Sequence, residues 1–278
     1  MGSEESSPPK KRNAFSELMS PKPKQPKPTA DQPAILTKTT NPAPLNPDNQ
    51  GAKNACYTTK SRDGLLAYIQ NPSSFPPTRV IHHNAAFVVI NDLYPKASLH
   101  LLLLPRDPQK YLLHPFIAFS DPVFLASVRA EAAHLKSLAA KELRRLFGPG
   151  STSDQPYLSA MDADPPPATL PSGRDWASEI MVGIHAHPSM NHLHVHVISK
   201  DRHSDSLRHR KHYNSFSTPF FVPLDAFPLA EDDVRRHPGR EGYLKSDFVC
   251  WRCGREFGNR FTRLKEHLDE EFEAWKRE

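Results

Sequence analysis

Short apolar runs separated by turn-forming residues dominate the middle of the chain. Val80-Ile81 and Phe87 to Ile90 are rich in β-branched residues and predict strands. Asn91 to Ala97 reads as a turn around Pro95, and Leu99 to Leu104 as a further buried strand. Upstream, order is expected from about Thr59, with a short helix over Asp63 to Ile69. Asp121 followed by Pro122 predicts a helix start, an N-cap and then proline in the first turn. Phe124, Val128, Leu135, Leu138 and Leu143 recur at helical spacing until Gly148 to Gly150 end the pattern. A strand over 179–184, a turn near Pro188 and a strand from His192 to Ser199 follow. A small β-rich body with one long helix is an α+β arrangement.

Elsewhere the pattern lapses. Residues 1–55 are rich in Pro, Lys, Ser and Asn and poor in apolar side chains, which predicts a disordered tail. Within it, PPKKR ending at Arg12 has the form of a short nuclear localisation signal, AFSELM (14–19) that of a helical docking motif, and Ser20-Pro21 that of a phosphorylation site. Residues 149–173 are proline-rich without periodicity and predict a disordered surface loop inserted in the domain. The expected organisation is a tail over 1–55, a catalytic domain over 56–222, a linker or helical connection over 223–245 and a finger over 246–278.

Composition agrees: 37% hydrophobic residues and 29 prolines in 278 residues point to unpacked segments. The net charge of +5 fits a polyanionic partner as well as ordinary solubility. Cys56, Cys250 and Cys253 cannot build a disulfide framework; one C-x-x-C pair in an odd count suits a reducing compartment and a metal site. Neither an apolar stretch long enough to span a bilayer nor a secretory signal is evident, so a soluble intracellular protein without a membrane partner is expected.

Residues 185–198 read HAHPSMNHLHVHVI. Strand side chains alternate faces, so His192, His194 and His196 share one face while Leu193, Val195 and Val197 share the other. The apolar face belongs to a core and the imidazoles to a cleft. Taken alone, the histidines suit either phosphoryl chemistry or a metal, since H-x-H pairs on strands serve as zinc ligands.

Near the other end, Cys250-x-x-Cys253 can supply two thiolates, and His267 and Glu271 lie four apart on one helical face. Together they predict a ββα-like finger holding structural zinc, with Glu270 a rival to Glu271 and with Phe248, Phe257 and Leu264 as its core. A carboxylate is an accepted zinc ligand. Basic residues gather just after the histidine strand (Arg202, Arg208, Arg210, Lys211, against Asp205) and in the finger (Arg252, Arg255, Arg260, Arg263, Lys265), as sequence-independent phosphate binding requires.

GIHAHPSMNHLHVHVIS (183–199) resembles the signature of histidine-triad nucleotide hydrolases and transferases. With NDLYPKASLHLLLLPRD (91–107), KHYNSFSTPFF (211–221) and the finger, the chain from about residue 60 resembles the aprataxin family, of fungal type. That resemblance implies a histidine-triad fold with an antiparallel sheet and a long helix. It implies a nuclear DNA-repair hydrolase that removes AMP from adenylated 5′ ends through a covalent histidine–AMP intermediate, and by the same chemistry removes 3′-linked guanylate caps. By the family pattern His194 is the nucleophile, His192 and His196 flank it, and His185 stands beside the leaving group. Ser189, Asp92, Lys96 and His100 take phosphate- or nucleotide-binding places; Arg208, Arg210, Lys211, His212, Asn214 and Ser215 face DNA; no catalytic metal is implied. The expected partners are nicked or broken double-stranded DNA, the AMP product, and repair or ligation proteins at the tail, with the protein a monomer. A hydrolase of free dinucleoside polyphosphates or phosphoramidates, and a non-enzymatic zinc-finger DNA-binding protein, are the competing readings.

Overall fold

The computed structural model describes residues 62–278. The tail over 1–55 with PPKKR, AFSELM and Ser20-Pro21, and Cys56 after it, lie outside the described residues.

Helix α1 (Leu66–Gln70) precedes strands β1 (Val80–His83), β2 (Phe87–Asn91) and β3 (His100–Pro105). With β4 (Ile180–His185), β5 (Val195–Ser199) and β6 (Phe221–Pro223) they form one antiparallel sheet in the order β1-β2-β3-β5-β4-β6. The period of two sorts the side chains. Leu101, Leu103, Val195 and Val197 turn to the face covered by helix α3 (Pro122–Phe147), which follows the single-turn α2 (Pro115–Ala118). Asp121 caps α3 by accepting the N–H groups of Val123 and Phe124, satisfying donors the first turn leaves open. Its buried stripe is Leu125, Val128, Ala132, Leu135, Ala139 and Leu143. Leu138, expected on that stripe, is instead exposed, because the i+3/i+4 line passes through Ala139.

The opposite face carries the histidines. Val88, Ile90, Leu102 and Leu104 are buried there with Leu65 and Ile69 of the α1 segment. Ala97, Ile198 and Phe221 are buried with Phe216 of helix α5 (Arg210–Ser217). Gly183 pairs with His196 in this floor, and a Cβ on it would lie 2.4 Å from the Val222 carbonyl oxygen, so only glycine lets β6 approach.

Two expectations change. The strand expected from His192 begins only at Val195: the β3 ladder ends at the Leu103–Val195 pair, and the Leu193 N–H turns to the Tyr111 carbonyl. The segment 149–173 is not an unbroken loop, since it contains helix α4 (Gln155–Met161). Its start is anchored by buried Asp154, which accepts from Arg144, the Arg174 N–H and the Trp176 indole. Those partners stand up to 22 positions away, beyond the reach of a periodicity argument.

The stretch 223–245 holds 3-10 turns and a short helix, α6 (Pro238–Glu241). Hairpin β7 (Phe248–Val249) and β8 (Glu256–Gly258) with helix α7 (Phe261–Trp275) then form the expected ββα unit. Phe248, Cys250, Leu264 and Leu268 are its buried core, which Leu207 and Tyr213 complete from across the boundary expected at 246. Trp251 packs against both this cluster and the main core, and Trp275 is buried in the main core. The finger is thus packed onto the sheet domain rather than tethered to it. Among the described residues no helix is long and apolar enough to cross a membrane.

Candidate active site

The Nδ1 atom of His194 lies 2.8 Å from the carbonyl oxygen of His192. A carbonyl only accepts, so Nδ1 carries the proton and Nε2 keeps its lone pair. The loop that breaks the strand at His192 is therefore what fixes the His194 tautomer. His194 is 6% exposed. Burial lowers its pKa below the ordinary histidine value, partly countered by the His192 carbonyl and Asp92.

A second tautomer follows from the main chain. The Lys96 N–H donates to His100 Nδ1 at 3.1 Å, so the proton of neutral His100 sits on Nε2. That Nε2 lies 2.9 Å from His196 Nδ1, which must accept, leaving the His196 proton on a buried Nε2 that has no protein partner. Burial drives His100 down to about 4 and His196 well below the usual range, keeping both neutral at physiological pH. Asp92, His100 and His196 stand close enough together to share a cation. While His100 accepts the Lys96 N–H, however, its Nε2 holds a proton and has no lone pair for a metal. Of the three, His100 and His196 are hydrogen-bonded to each other, and Asp92 stands 3.7 Å from His100.

His185 lies with its ring 4.4 Å from that of His196 and 4.6 Å from Phe216, its Nε2 buried and unpartnered. Burial and then His194 push it down to about 3. His185, expected beside the leaving group, is thus a neutral ring in the free protein. His192 is buried too, its ring 5.5 Å from that of Tyr111. Asp92, half-buried, accepts the Tyr94 N–H and has an oxygen 3.7 Å from His100. Burial works against its carboxylate, but His100, the Tyr94 N–H and Lys96 hold its pKa below the ordinary value. Lys96 is buried with its ammonium on the Tyr94 carbonyl, its pKa lowered by burial against the pull of Asp92. Ser189 is exposed in the Pro188 turn. That turn is clamped by the Arg62 guanidinium on the Ser189 carbonyl, the Asn191 N–H on the Arg62 carbonyl, and the Asn191 amide on Asp63. Arg62, Asp63, Asn191 and Phe216 were not among the expected site residues; contacts 127 and 128 positions apart leave no local signal.

The residues expected to face DNA divide. Lys211 and Arg208 are exposed, and His212 is half-buried, accepting the Arg208 N–H and pushed by burial, then by Lys96, to about 4. Arg210 is instead spent on the carbonyls of Lys245 and Ser246 and on Asn259, and lies over the Phe248 ring. Asn214 is buried on the Ser246 carbonyl and Ser215 is buried on α5. Arg210 and Asn214 tie α5 to the finger, while Ser215 Oγ turns back onto the His212 carbonyl of its own helix.

In the finger, ligand atoms of Cys250, Cys253, His267 and Glu271 lie within 4.8 Å of one another. His267 Nε2 is 3.1 Å from Cys253 Sγ and 3.2 Å from Glu271 Oε1, whereas exposed Glu270 faces the other ring nitrogen at 3.7 Å. Two thiols, an imidazole and a carboxylate at this spacing fit tetrahedral zinc. Arg252 binds the second Glu271 oxygen, the outer contact that orients a ligating carboxylate.

Two family models match the chain. Residues 75–203 match the HIT domain and residues 217–274 the C2HE / C2H2 / C2HC zinc-binding finger. An aprataxin-like protein of Schizosaccharomyces pombe is 34% identical over 77% of this chain and 82% of its own length. One from Saccharomyces cerevisiae is 34% identical over 77% of this chain and 96% of its own. Among solved structures, the aprataxin ortholog Hnt3 in complex with DNA is similar with a TM-score of 0.60 and 32% identity, over 77% of this chain and 96% of that one. Hnt3 in complex with DNA and guanosine matches with a TM-score of 0.59 and 33% identity, over 77% and 96%.

Proposed function

Because the chain belongs to the aprataxin family, a histidine-triad domain joined to a C2HE zinc finger, we propose that it is a DNA-repair hydrolase that releases AMP from adenylated 5′ ends of DNA. The observation that carries this reading is the pair of opposite tautomers side by side: a lone pair on His194 Nε2 and a proton on His196 Nε2.

The His194 lone pair attacks the AMP phosphorus. The bond from that phosphorus to the bridging oxygen of the DNA 5′-phosphate breaks with its electron pair, giving a His194–AMP phosphoramidate and a 5′-phosphorylated strand. His196 Nε2–H donates to a non-bridging oxygen whose charge grows in the transition state. An entering pyrophosphate brings negative charge beside His185 and raises its pKa, so that it can take up a proton and shield the departing oxygen. Water then attacks the same phosphorus and gives up a proton to solvent, the N–P bond breaks with its electron pair returning to His194 Nε2, and AMP leaves with His194 neutral again. Asp92 is placed for the ribose, and Lys96 and Ser189 for phosphate oxygens. Zinc on Cys250, Cys253, His267 and Glu271 would tie the hairpin to α7, with Arg208 and Lys211 binding the DNA backbone. We assign the protein to the nucleus on the PPKKR segment.

A 3′-linked guanylate offers the same nucleotidyl phosphorus, and the relative solved with DNA and guanosine supports this second substrate. The test is turnover on adenylated nicked duplex, on 3′-guanylylated DNA and on diadenosine tetraphosphate. Faster release from adenylated DNA supports the proposal. Preference for the free dinucleotide, or binding without release of nucleotide, overturns it.

A further inference from the structure

Arg202 stands where three parts of the chain meet. Its backbone is left-handed at φ 46°, a conformation that a non-glycine residue holds only when its surroundings impose it. Its side chain is buried. Nη2 donates to the Phe216 carbonyl at 2.9 Å, Nε to Ser217 Oγ at 3.2 Å and Nη1 to the Lys200 carbonyl at 2.5 Å. The guanidinium carbon lies 5.2 Å from the centre of the Trp251 ring. These hydrogen-bond acceptors are neutral. The buried Asp201 carboxylate acts on the guanidinium through space but is itself hydrogen-bonded to Ser98, Ser199 and the His203 N–H. The buried charge therefore has no carboxylate bonded directly to it. An apolar side chain of that volume would serve stability as well or better. The guanidinium has a geometric use instead: its planar fork binds the end of α5 while its carbon lies over an indole at cation–π distance.

Both ends of that contact matter. Trp251 sits in the knuckle between Cys250 and Cys253. Phe216 touches three histidines, with ring centres 4.6 Å from His185, 5.2 Å from His196 and 5.3 Å from His100. We propose that Arg202 is a positioning residue for the nucleotidyl transfer, carrying the zinc-loaded geometry of the knuckle through Trp251 to α5 and so to the Phe216 ring that holds His185 and His196. The zinc finger then acts on catalysis as well as on DNA affinity. This rests on the activity proposed above.

The test uses the full zinc-loaded chain with Arg202→Met, Trp251→Ala and Trp251→Phe, measuring kcat and KM on adenylated nicked duplex and the ring 15N resonances of histidine. Arg202→Met and Trp251→Ala lower kcat about tenfold or more, with KM changed by less than about twofold. They also shift the His185 and His196 resonances, and Trp251→Phe restores both readouts because an aromatic face remains. A change confined to KM, or unmoved histidine resonances, overturns the proposal. If Arg202→Met does not fold, Trp251→Ala decides alone. If the wild type releases no AMP from DNA, the proposed function fails, while the resonances still show whether Trp251 is felt at the histidines.

Discussion

The main-chain N–H of Lys96 donates to Nδ1 of His100 across 3.1 Å, and this one contact sets the protonation of a histidine one ring further on. A peptide N–H cannot reverse its polarity, so His100 must pass its proton toward His196, and His196 must present its own to the pocket. Replacing His100 by Phe keeps the ring volume and removes the relay. The expected cost is about 10²-fold in kcat, the scale of losing one donor to a developing oxyanion, read by steady-state AMP release. Undiminished kcat would mean that His196 needs no partner.

Loss of the nucleophile should be more severe. His194→Ala is expected to cut AMP release by about 10³-fold or more with an unchanged melting temperature, and to abolish labelling of the protein by radioactive adenylate. Turnover near the wild-type level in this variant would falsify the covalent route.

Acid should unfold the protein through the same cluster. His100 falls to about 4 and His185 to about 3 in the folded state, from 6.5. Between 6.5 and those values the unfolded chain binds protons that the folded one refuses, so stability drops as pH falls. Each histidine contributes a slope of up to about 1.4 kcal/mol per pH unit. Denaturant titrations at pH 7 and pH 5 measure it, and His185→Asn should flatten the dependence. An equal slope in both proteins argues against a neutral buried His185.

Catalysis should keep its acid limb low. His194 must be neutral to attack, and burial lowers its pKa from 6.5. The acid limb of kcat/KM is therefore expected to have its midpoint below 6.5, with activity rising as pH rises through it. A midpoint above 6.5 contradicts the burial of this ring.

Zinc removal should be felt beyond the finger. Structural zinc supplies about 10–16 kcal/mol of apparent binding free energy in finger peptides, and this finger shares Tyr213, Trp251 and Trp275 with the main body. Chelation is expected to lower the melting temperature of the whole chain and weaken binding to nicked DNA. Trp275→Ala, in the zinc-loaded protein, should cost about 3–5 kcal/mol by leaving a cavity and taking the indole donor from Glu179, which keeps its ion pair with Arg174. Chelated protein with wild-type DNA affinity would remove the finger from binding.

The amino-acid sequence determined whatever depends on near neighbours. Alternation of His with Leu and Val put imidazoles and core residues on opposite sides, Asp121-Pro122 started the long helix, and the spacing of Cys250, Cys253, His267 and Glu271 marked a candidate zinc site. These follow from fixed repeats of 2 and 3.6 residues, which need no knowledge of the rest of the chain. Tertiary structure decided which nitrogen of each histidine carries the proton, because the Lys96 N–H and His100 reach His196 across 96 positions and more. It also turned Arg210 and Asn214, polar residues that read as DNA contacts, inward to the carbonyls of Lys245 and Ser246. A polar side chain looks the same in a sequence whether it faces a phosphate or a peptide oxygen. Only the folding of the finger against α5, which brings residues 32 to 36 positions apart within hydrogen-bond reach, assigned it.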